Sequence, residues 1–387
     1  MKKIFRNIRV VDAQKDGYYD VETDNGKIIS VTESHGENKN IVLMPGFTDL
    51  HAHFRDPGYT EKETVKSGTD AAVKGGYTTV NLMPNTNPVC DSSAVYESIN
   101  EKIKADGRIN IYQALSILKG QKENNFEHLR KIKNIKTVSN DGYGVDDDEI
   151  MEKFIKFSLN ESFIIMLHEQ YSKIKDYRES ENLMTVRDIK LSEKYGRPLH
   201  FCHVSTKESI AEIVKSKKLS GITLEVTPHH IVLNDQISQY KVNPPIRNIK
   251  DTEKIIENIV LGNIDAIATD HAPHTEKDKE NGAPGISGIE TSFQILYTYL
   301  VKTGIINLSK LSKLMSYGPS QILRVKSGLI EKDYPADFVI VDTDHEEIIN
   351  PENFLSKGKN TPFAGKQIYS LIKEVYCGGK KIWEVKE

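Results

Sequence analysis

The sequence predicts an α/β fold, a (β/α)8 TIM barrel with a small β-sandwich formed jointly by its N- and C-terminal segments. Three observations carry that prediction. From residue 44 onward, eight short apolar runs alternate with longer segments whose apolar residues recur at helical intervals, the pattern of strands and crossover helices around a parallel barrel. Both ends of the chain instead carry strand-like runs in succession. Polar side chains capable of chemistry fall at the ends of the apolar runs, where such barrels place their sites.

The elements follow in order. Residues 4–11, 18–23 and 27–33 read as strands, and Asp24-Asn25-Gly26 between the last two is a hairpin-turn signature. The barrel strands are expected at 43–51, 77–83, 109–114, 135–139, 163–168, 199–203, 222–226 and 264–269. Between them, 61–74, 94–104, 147–159, 186–195, 207–217 and 252–261 have helical spacing, as does 308–323 after the last strand. The chain then returns to strands at 338–341, 368–376 and 381–385, with a Gly- and Lys-rich loop at 357–366. This gives a sandwich half at 1–43, a barrel at 44–324 and the second sandwich half at 325–387.

At 387 residues the chain is long enough for one large barrel with an accessory unit. Its 52 Lys and Arg nearly balance 55 Asp and Glu, and a net charge of -3 gives no basic field for nucleic acid. Three separated cysteines, Cys90, Cys202 and Cys377, indicate neither a disulfide framework nor a thiolate zinc site, and they fit a reducing cytoplasm. The opening residues Met1–Asn7 are too polar for a signal peptide, and no apolar run approaches the roughly 20 residues of a membrane span. The expectation is a soluble, cytoplasmic protein with no nucleic-acid or membrane partner.

The chemistry is read from the strand ends. The first barrel strand ends in His51-Ala-His53; side chains two apart on a strand share a face, so the two imidazoles can hold one metal ion. The fourth ends in Asn140-Asp141-Gly142, the fifth in His168, the sixth in His203 and the eighth in Asp270-His-Ala-Pro-His274. Imidazole and carboxylate suit zinc, and there are too many of them for one tetrahedral ion. Two zinc ions per chain are the simpler reading, one on His51, His53 and Asp270 and the other on His168 and His203, with the Asp141 carboxylate bridging. Such a pair activates water for attack at neutral pH. Asp is also a favoured helix N-cap, but the position of Asp270 after Ile-Ala-Thr favours the site. His229 and His230, after the seventh strand, are expected to shape the site without ligating. Arg55 and Asn85, at neighbouring strand ends, suit a substrate carboxylate. The loops Asn243–Arg247 and Ala283–Gly288 are expected over the barrel mouth, where backbone groups can read a planar ring.

These motifs carry a family resemblance. Asp49-Leu-His-Ala-His-Phe-Arg-Asp-Pro-Gly58, Met83-Pro-Asn-Thr-Asn-Pro88, Cys202-His-Val-Ser-Thr206, Val226-Thr-Pro-His-His230, Val242-Asn-Pro-Pro-Ile-Arg247 and Ala268-Thr-Asp-His-Ala-Pro-His274 closely resemble the class I dihydroorotases of the amidohydrolase superfamily, over nearly the whole chain. The resemblance implies a cyclic amide hydrolase that reversibly closes N-carbamoyl-L-aspartate to L-dihydroorotate in pyrimidine biosynthesis. It implies zinc ligands at His51, His53, Asp141, His168, His203 and Asp270. It places substrate contacts at Arg55, Asn85, Asn243 and His274, with backbone contacts near Pro284 and Gly285, and gives Asp270 the proton transfer. A homodimer and an association with aspartate transcarbamoylase are the partners it leaves open. The chain departs from the family pattern at Asn140-Asp141-Gly142 and at His168-Glu169-Gln170. Hydantoinases and allantoinases, acting on other cyclic ureides, are the alternative relatives; hydantoinases bridge with a carboxylated lysine on the fourth strand, and Lys136 is the rival for the bridge. An inactive barrel kept as a structural partner is the other alternative.

Overall fold

The computed structural model describes residues 2–385, without the side chains of Lys218, Leu219 and Ser220; Met1, Lys386 and Glu387, which fall in the expected terminal segments, lie outside the described residues. The strands β1 (Lys3–Val11), β2 (Asp16–Asp24) and β3 (Lys27–Glu33) form an antiparallel meander. Its second turn is the expected one, with Asn25 and Gly26 at φ 47° and 79°, the left-handed pair that a type I′ hairpin turn requires.

The run read as one strand over 43–51 is two strands. β4 (Ile41–Pro45) belongs to the terminal sheet, pairing parallel with β1, whereas β5 (Phe47–Ala52) opens the barrel. Gly46 is the break: its N–H donates to the Asp337 carbonyl at 3.0 Å, and a Cβ there would collide with the buried Thr78 side chain. The switch between sheets occurs where the Thr78 side chain leaves no room for one at residue 46.

The barrel continues through β6 (Tyr77–Leu82), β7 (Asn110–Gln113), β8 (Leu115–Ser116), β9 (Thr137–Ser139), β10 (Ile164–Leu167), β11 (His200–Phe201), β12 (Thr223–Val226) and β13 (Ala266–Ile267). β7 and β8 are halves of one strand interrupted at Ala114; the first pairs with β6 and the second with β9. All pairings are parallel, and Ala52 bridges His271 to close the ring between β5 and β13. Ile164 and Met166 on β10, and Ala266 on β13 with Ala268 just past it, share the inward face, and His168 and Asp270 follow at the strand ends. Their apolar members join Leu50, Met83, Cys202 and Leu323 in the inner core below the site.

Helices cover the outside. Val65–Lys74 starts at a capping box between Thr64 and Ser67. Tyr177–Tyr195 begins nine residues before the expected 186, because Asp176 caps it by accepting from the Arg178 and Glu179 N–H groups. The final helical stretch runs from Leu308–Ser312 through a widened π turn to Gly318–Ile322. No described helix is long and apolar enough to cross a membrane.

β14 (Phe338–Ile348), β15 (Gln367–Cys377) and β16 (Lys380–Glu384) complete the terminal sheet in the order β16-β15-β14-β4-β1-β2-β3. In a flat sheet β1 and β15 would stand about 14 Å apart, three strand spacings. The Phe5 ring is instead 5.4 Å from that of Tyr376 and 5.1 Å from that of Phe338. The sheet therefore folds over on Val10, Val21, Ile28, Leu43 and Phe338 as a small sandwich. We expect Gly46→Ala to destabilise the protein by about 1–3 kcal/mol, the usual penalty for overpacking, measured as a lower denaturant midpoint.

Candidate metal centre and substrate cleft

Barrel closure brings the first and last ligand segments together. The His53 N–H donates to the His271 carbonyl at 2.9 Å, and the buried Asp49 carboxylate accepts from the Thr269 N–H at 2.9 Å and from its hydroxyl at 2.5 Å. Three residues at the strand ends, Arg55, His203 and Asp270, hold φ values of 57°, 36° and 47°. Non-glycine residues rarely adopt this left-handed region outside turns, and surrounding contacts must hold them there.

Asp141, on the loop after β9, is the centre of the cluster. Its Oδ1 lies 3.0 Å from His51 Nε2, 3.4 Å from His168 Nδ1 and 3.5 Å from His203 Nε2; its Oδ2 lies 3.6 Å from His53 Nε2. Asp270 Oδ1 stands 3.2 Å from His53 Nε2 and 3.7 Å from His51 Nε2. The six expected ligands thus converge. Burial opposes charge on Asp141, yet His51, His168 and His203 hold its carboxyl well below the usual carboxylate range. His53 and His51 likewise outweigh burial at Asp270 and keep it ionised.

Three imidazoles have their far nitrogen tied to an acceptor. His51 Nδ1 faces Glu225 Oε1 at 3.2 Å, His53 Nδ1 faces Asn85 Oδ1 at 2.8 Å, and His168 Nε2 faces Gln170 Oε1 at 2.8 Å. Each acceptor fixes a tautomer and leaves the other nitrogen's lone pair aimed at the cluster. His51 Nε2 is fully buried and has no hydrogen-bond partner despite its approach to Asp141. A buried imidazole lone pair among carboxylates, within 4.8 Å of the donor atoms of Asp141 and His203 and of His53 and Asp270, fits a cation. The donor set is the nitrogen and oxygen mixture that zinc takes.

The sequence reading did not assign roles to Glu225 and Gln170. Glu225 is fully buried between His51 and His200, whose Nε2 is 3.0 Å from its second oxygen, and the two histidines overcome burial to bring its pKa to about 2. A lone acid inside the apolar run Thr223–Val226 was its only sequence signal. Lys136, the rival for the bridge, is at the other end of the barrel. It precedes β9, donates to the Arg324 carbonyl at 3.3 Å and lies over the Tyr112 ring, so it does not reach the cluster.

Above the cluster is a cleft of 220 Å³ lined by His53, Asp141, His168 and Asp270 and by all the residues expected to contact substrate: Arg55, Asn85, Asn243, His274, Pro284 and Gly285. Asn85 also donates from Nδ2 to Asp141 Oδ2 at 3.1 Å, so its amide orients two ligands as well as facing the cleft. Asn243 Nδ2 donates to Gln170 Oε1 at 2.9 Å. His230 shapes the site as expected, its Nε2 donating to the Pro244 carbonyl at 3.1 Å beside Asn243.

The barrel and its strand-end cluster define the class, and the chain belongs to the amidohydrolase family, whose model matches residues 42–382. Within that class its relatives are dihydroorotases: the dihydroorotase of Clostridium botulinum is 41% identical, covering 98% of this chain and 99% of its own. That of Elusimicrobium minutum is 37% identical over 98% and 97% of the two chains. Among solved structures, the L-hydantoinase of Arthrobacter aurescens superposes with a TM-score of 0.90 at 20% identity, covering 99% of this chain and 96% of its own. The dihydropyrimidinase of Brevibacillus agri does so with a TM-score of 0.89 at 22%, covering 99% and 95%. These structures share the fold. The family implies a metal cofactor, and the donors described above fit one.

We expect Asp141→Ala to lower bound metal sharply and Lys136→Ala to leave it at the wild-type level, measured by elemental analysis of the purified proteins. Full metal in Asp141→Ala would remove Asp141 from the centre of the site.

Proposed function

We propose that this cleft interconverts N-carbamoyl-L-aspartate and L-dihydroorotate, the dihydroorotase reaction, with two zinc ions held by His51, His53, Asp141, His168, His203 and Asp270. Arg55 carries the reading. Among the described residues its Nε, sealed from solvent, has no partner, and the side-chain neighbour of its guanidinium within hydrogen-bonding distance is His274 Nε2, 3.5 Å from Nη2. That nitrogen is 2.9 Å from the Pro284 carbonyl; a carbonyl only accepts, so the nitrogen bears a hydrogen and offers Arg55 nothing. A guanidinium on a cleft wall without an acceptor of its own matches a ligand carboxylate, which its planar fork takes in two parallel bonds. Dihydroorotate carries a carboxylate beside its ring, and hydantoin and dihydrouracil do not. Arg55 therefore favours dihydroorotate over the substrates of the hydantoinases that share the fold.

When bound, the metal supplies Lewis-acid polarisation of the ring amide carbonyl and an acidified water. The chain's residues do the rest. In ring opening, the water oxygen bonds to the amide carbon and the ring C–N bond breaks; Asp270 accepts the water's proton and passes it to the leaving nitrogen. Ring closure runs the same transfers backwards, with the Asp270 carboxyl starting protonated. Arg55 and the remaining N–H of Asn85 orient the carboxylate, while Asn243, His274 and the backbone at Pro284 and Gly285 bound the ring, so that the reacting atoms meet in one geometry. The complete set of ligands argues against an inactive barrel kept as a structural partner of aspartate transcarbamoylase.

The test is turnover of dihydroorotate, hydantoin, dihydrouracil and allantoin by one metal-loaded preparation. Dihydroorotate should dominate, and dominance of any of the others would overturn the reading. Arg55→Lys should raise KM for dihydroorotate at least about tenfold with metal content unchanged, since lysine keeps the charge and loses the fork. Asp270→Asn should lower kcat by about 10²–10⁴-fold in a folded protein, the usual contribution of a positioned proton-transfer group.

A further inference from the structure

Lys279 lies on the short helix Glu276–Glu280 after β13, and its position is costly for a cation. It is half-buried, no carboxylate pairs with it among the described residues, and burial together with the nearby Lys241 ammonium pushes its pKa down to about 8. Its partners are instead backbone carbonyls from two loops. Nζ donates to the Lys241 carbonyl at 3.1 Å, the Ala283 carbonyl at 2.8 Å and the Gly285 carbonyl at 3.0 Å, and it lies 4.4 Å over the Tyr240 ring. Three carbonyls and an aromatic face occupy the ammonium completely, since it has three N–H donors.

The two loops are those that wall the cleft. Lys241 is two residues before Asn243, and Ala283 and Gly285 flank Pro284, so one ammonium spans the join between both sets of ring contacts. Among the described residues, the direct backbone bond across that join is from the Gly285 N–H to the Lys241 carbonyl at 3.0 Å, and Lys279 shares that acceptor. Gly285 itself has φ 145°, and a Cβ there would meet the Ala272 carbonyl, so this side of the join packs closely against the segment after β13.

We infer that Lys279 is a positioning residue that clamps the 240–245 loop to the 283–286 loop, and so sets the width of the cleft against the face of the substrate ring. The inference rests on the proposed contacts of Asn243, Pro284 and Gly285 with substrate. It separates Lys279 from a purely structural cation by what its loss should change: loop protection and substrate affinity, with the metal centre intact, because none of its partners is a metal-ligand candidate.

The test compares Lys279→Met and Lys279→Arg with the wild-type, metal-loaded chain. Hydrogen–deuterium exchange without substrate should be at least about fivefold faster in Lys279→Met at the amides of 241–245 and 283–286, and unchanged on β5 and β13. KM for dihydroorotate should rise about tenfold with kcat within about twofold and metal content unchanged; Lys279→Arg, which keeps donors to the carbonyls, should recover most of both. Unchanged exchange in Lys279→Met would overturn the clamp. Faster exchange with unchanged KM would overturn its role toward substrate. A wild-type chain that fails to turn over dihydroorotate is a failure of the proposed reaction instead, and the exchange comparison, made without substrate, still decides whether the clamp exists. If Lys279→Met does not fold, Lys279→Arg with wild-type loop exchange, KM and kcat supports the clamp, and Lys279→Arg with kcat lost and KM unchanged overturns it.

Discussion

The contact on which the rest depends is the seam where β5 meets β13. The two strands are more than two hundred residues apart in sequence, yet Ala52 bridges His271, and Asp49 accepts both hydrogens that Thr269 offers. Closure there puts His51 and His53 beside Asp270. A seam built only from backbone pairs would tolerate slippage along the strands, and a slip of one residue would turn every inward side chain outward. The bidentate grip of Asp49 on a single residue pins the register at the point where a ligand pair must be assembled.

A cluster of four imidazoles and two carboxylates is expensive to bury, and the neighbourhood offsets that cost group by group. Glu225 stands behind His51, Asn85 behind His53 and Gln170 behind His168. Each is an acceptor whose geometry leaves one lone pair directed inward, and Asn85 steadies Asp141 as well. The left-handed backbone at Arg55, His203 and Asp270 is the steric counterpart of this arrangement: side chains turn into the cleft at strand ends where a relaxed chain would turn away.

How much of this was legible follows from what each feature depends on. The barrel strands were legible because apolar runs and their helical partners are local patterns, and the converging donors because histidine and aspartate stand out at the ends of apolar runs. The break at Gly46 was not, since it depends on Thr78 across a neighbouring strand. The early start of Tyr177–Tyr195 was obscured because its first turns are polar and only Asp176 marks the cap. Glu225 and Gln170 act through partners distant in sequence or through an amide whose orientation no pattern announces. Lys136 is ruled out by the length of the strand: it precedes β9 and Asp141 follows it, five positions on, so the two stand at opposite ends.

The terminal sheet has an implication for how the chain is made. β4 lies between β1, a neighbour in sequence, and β14, which is translated almost three hundred residues later. Until β14 emerges from the ribosome, β1 to β4 have one open flank, with the β4 backbone groups on that side unpaired. The barrel can assemble around its own short-range units meanwhile, but the half-sheet beside it cannot be finished, and a nascent chain carrying an unpaired strand is prone to wrong partners. The order of synthesis thus sets the order of assembly at this one edge: β4 gains its second neighbour only after the whole barrel has been made.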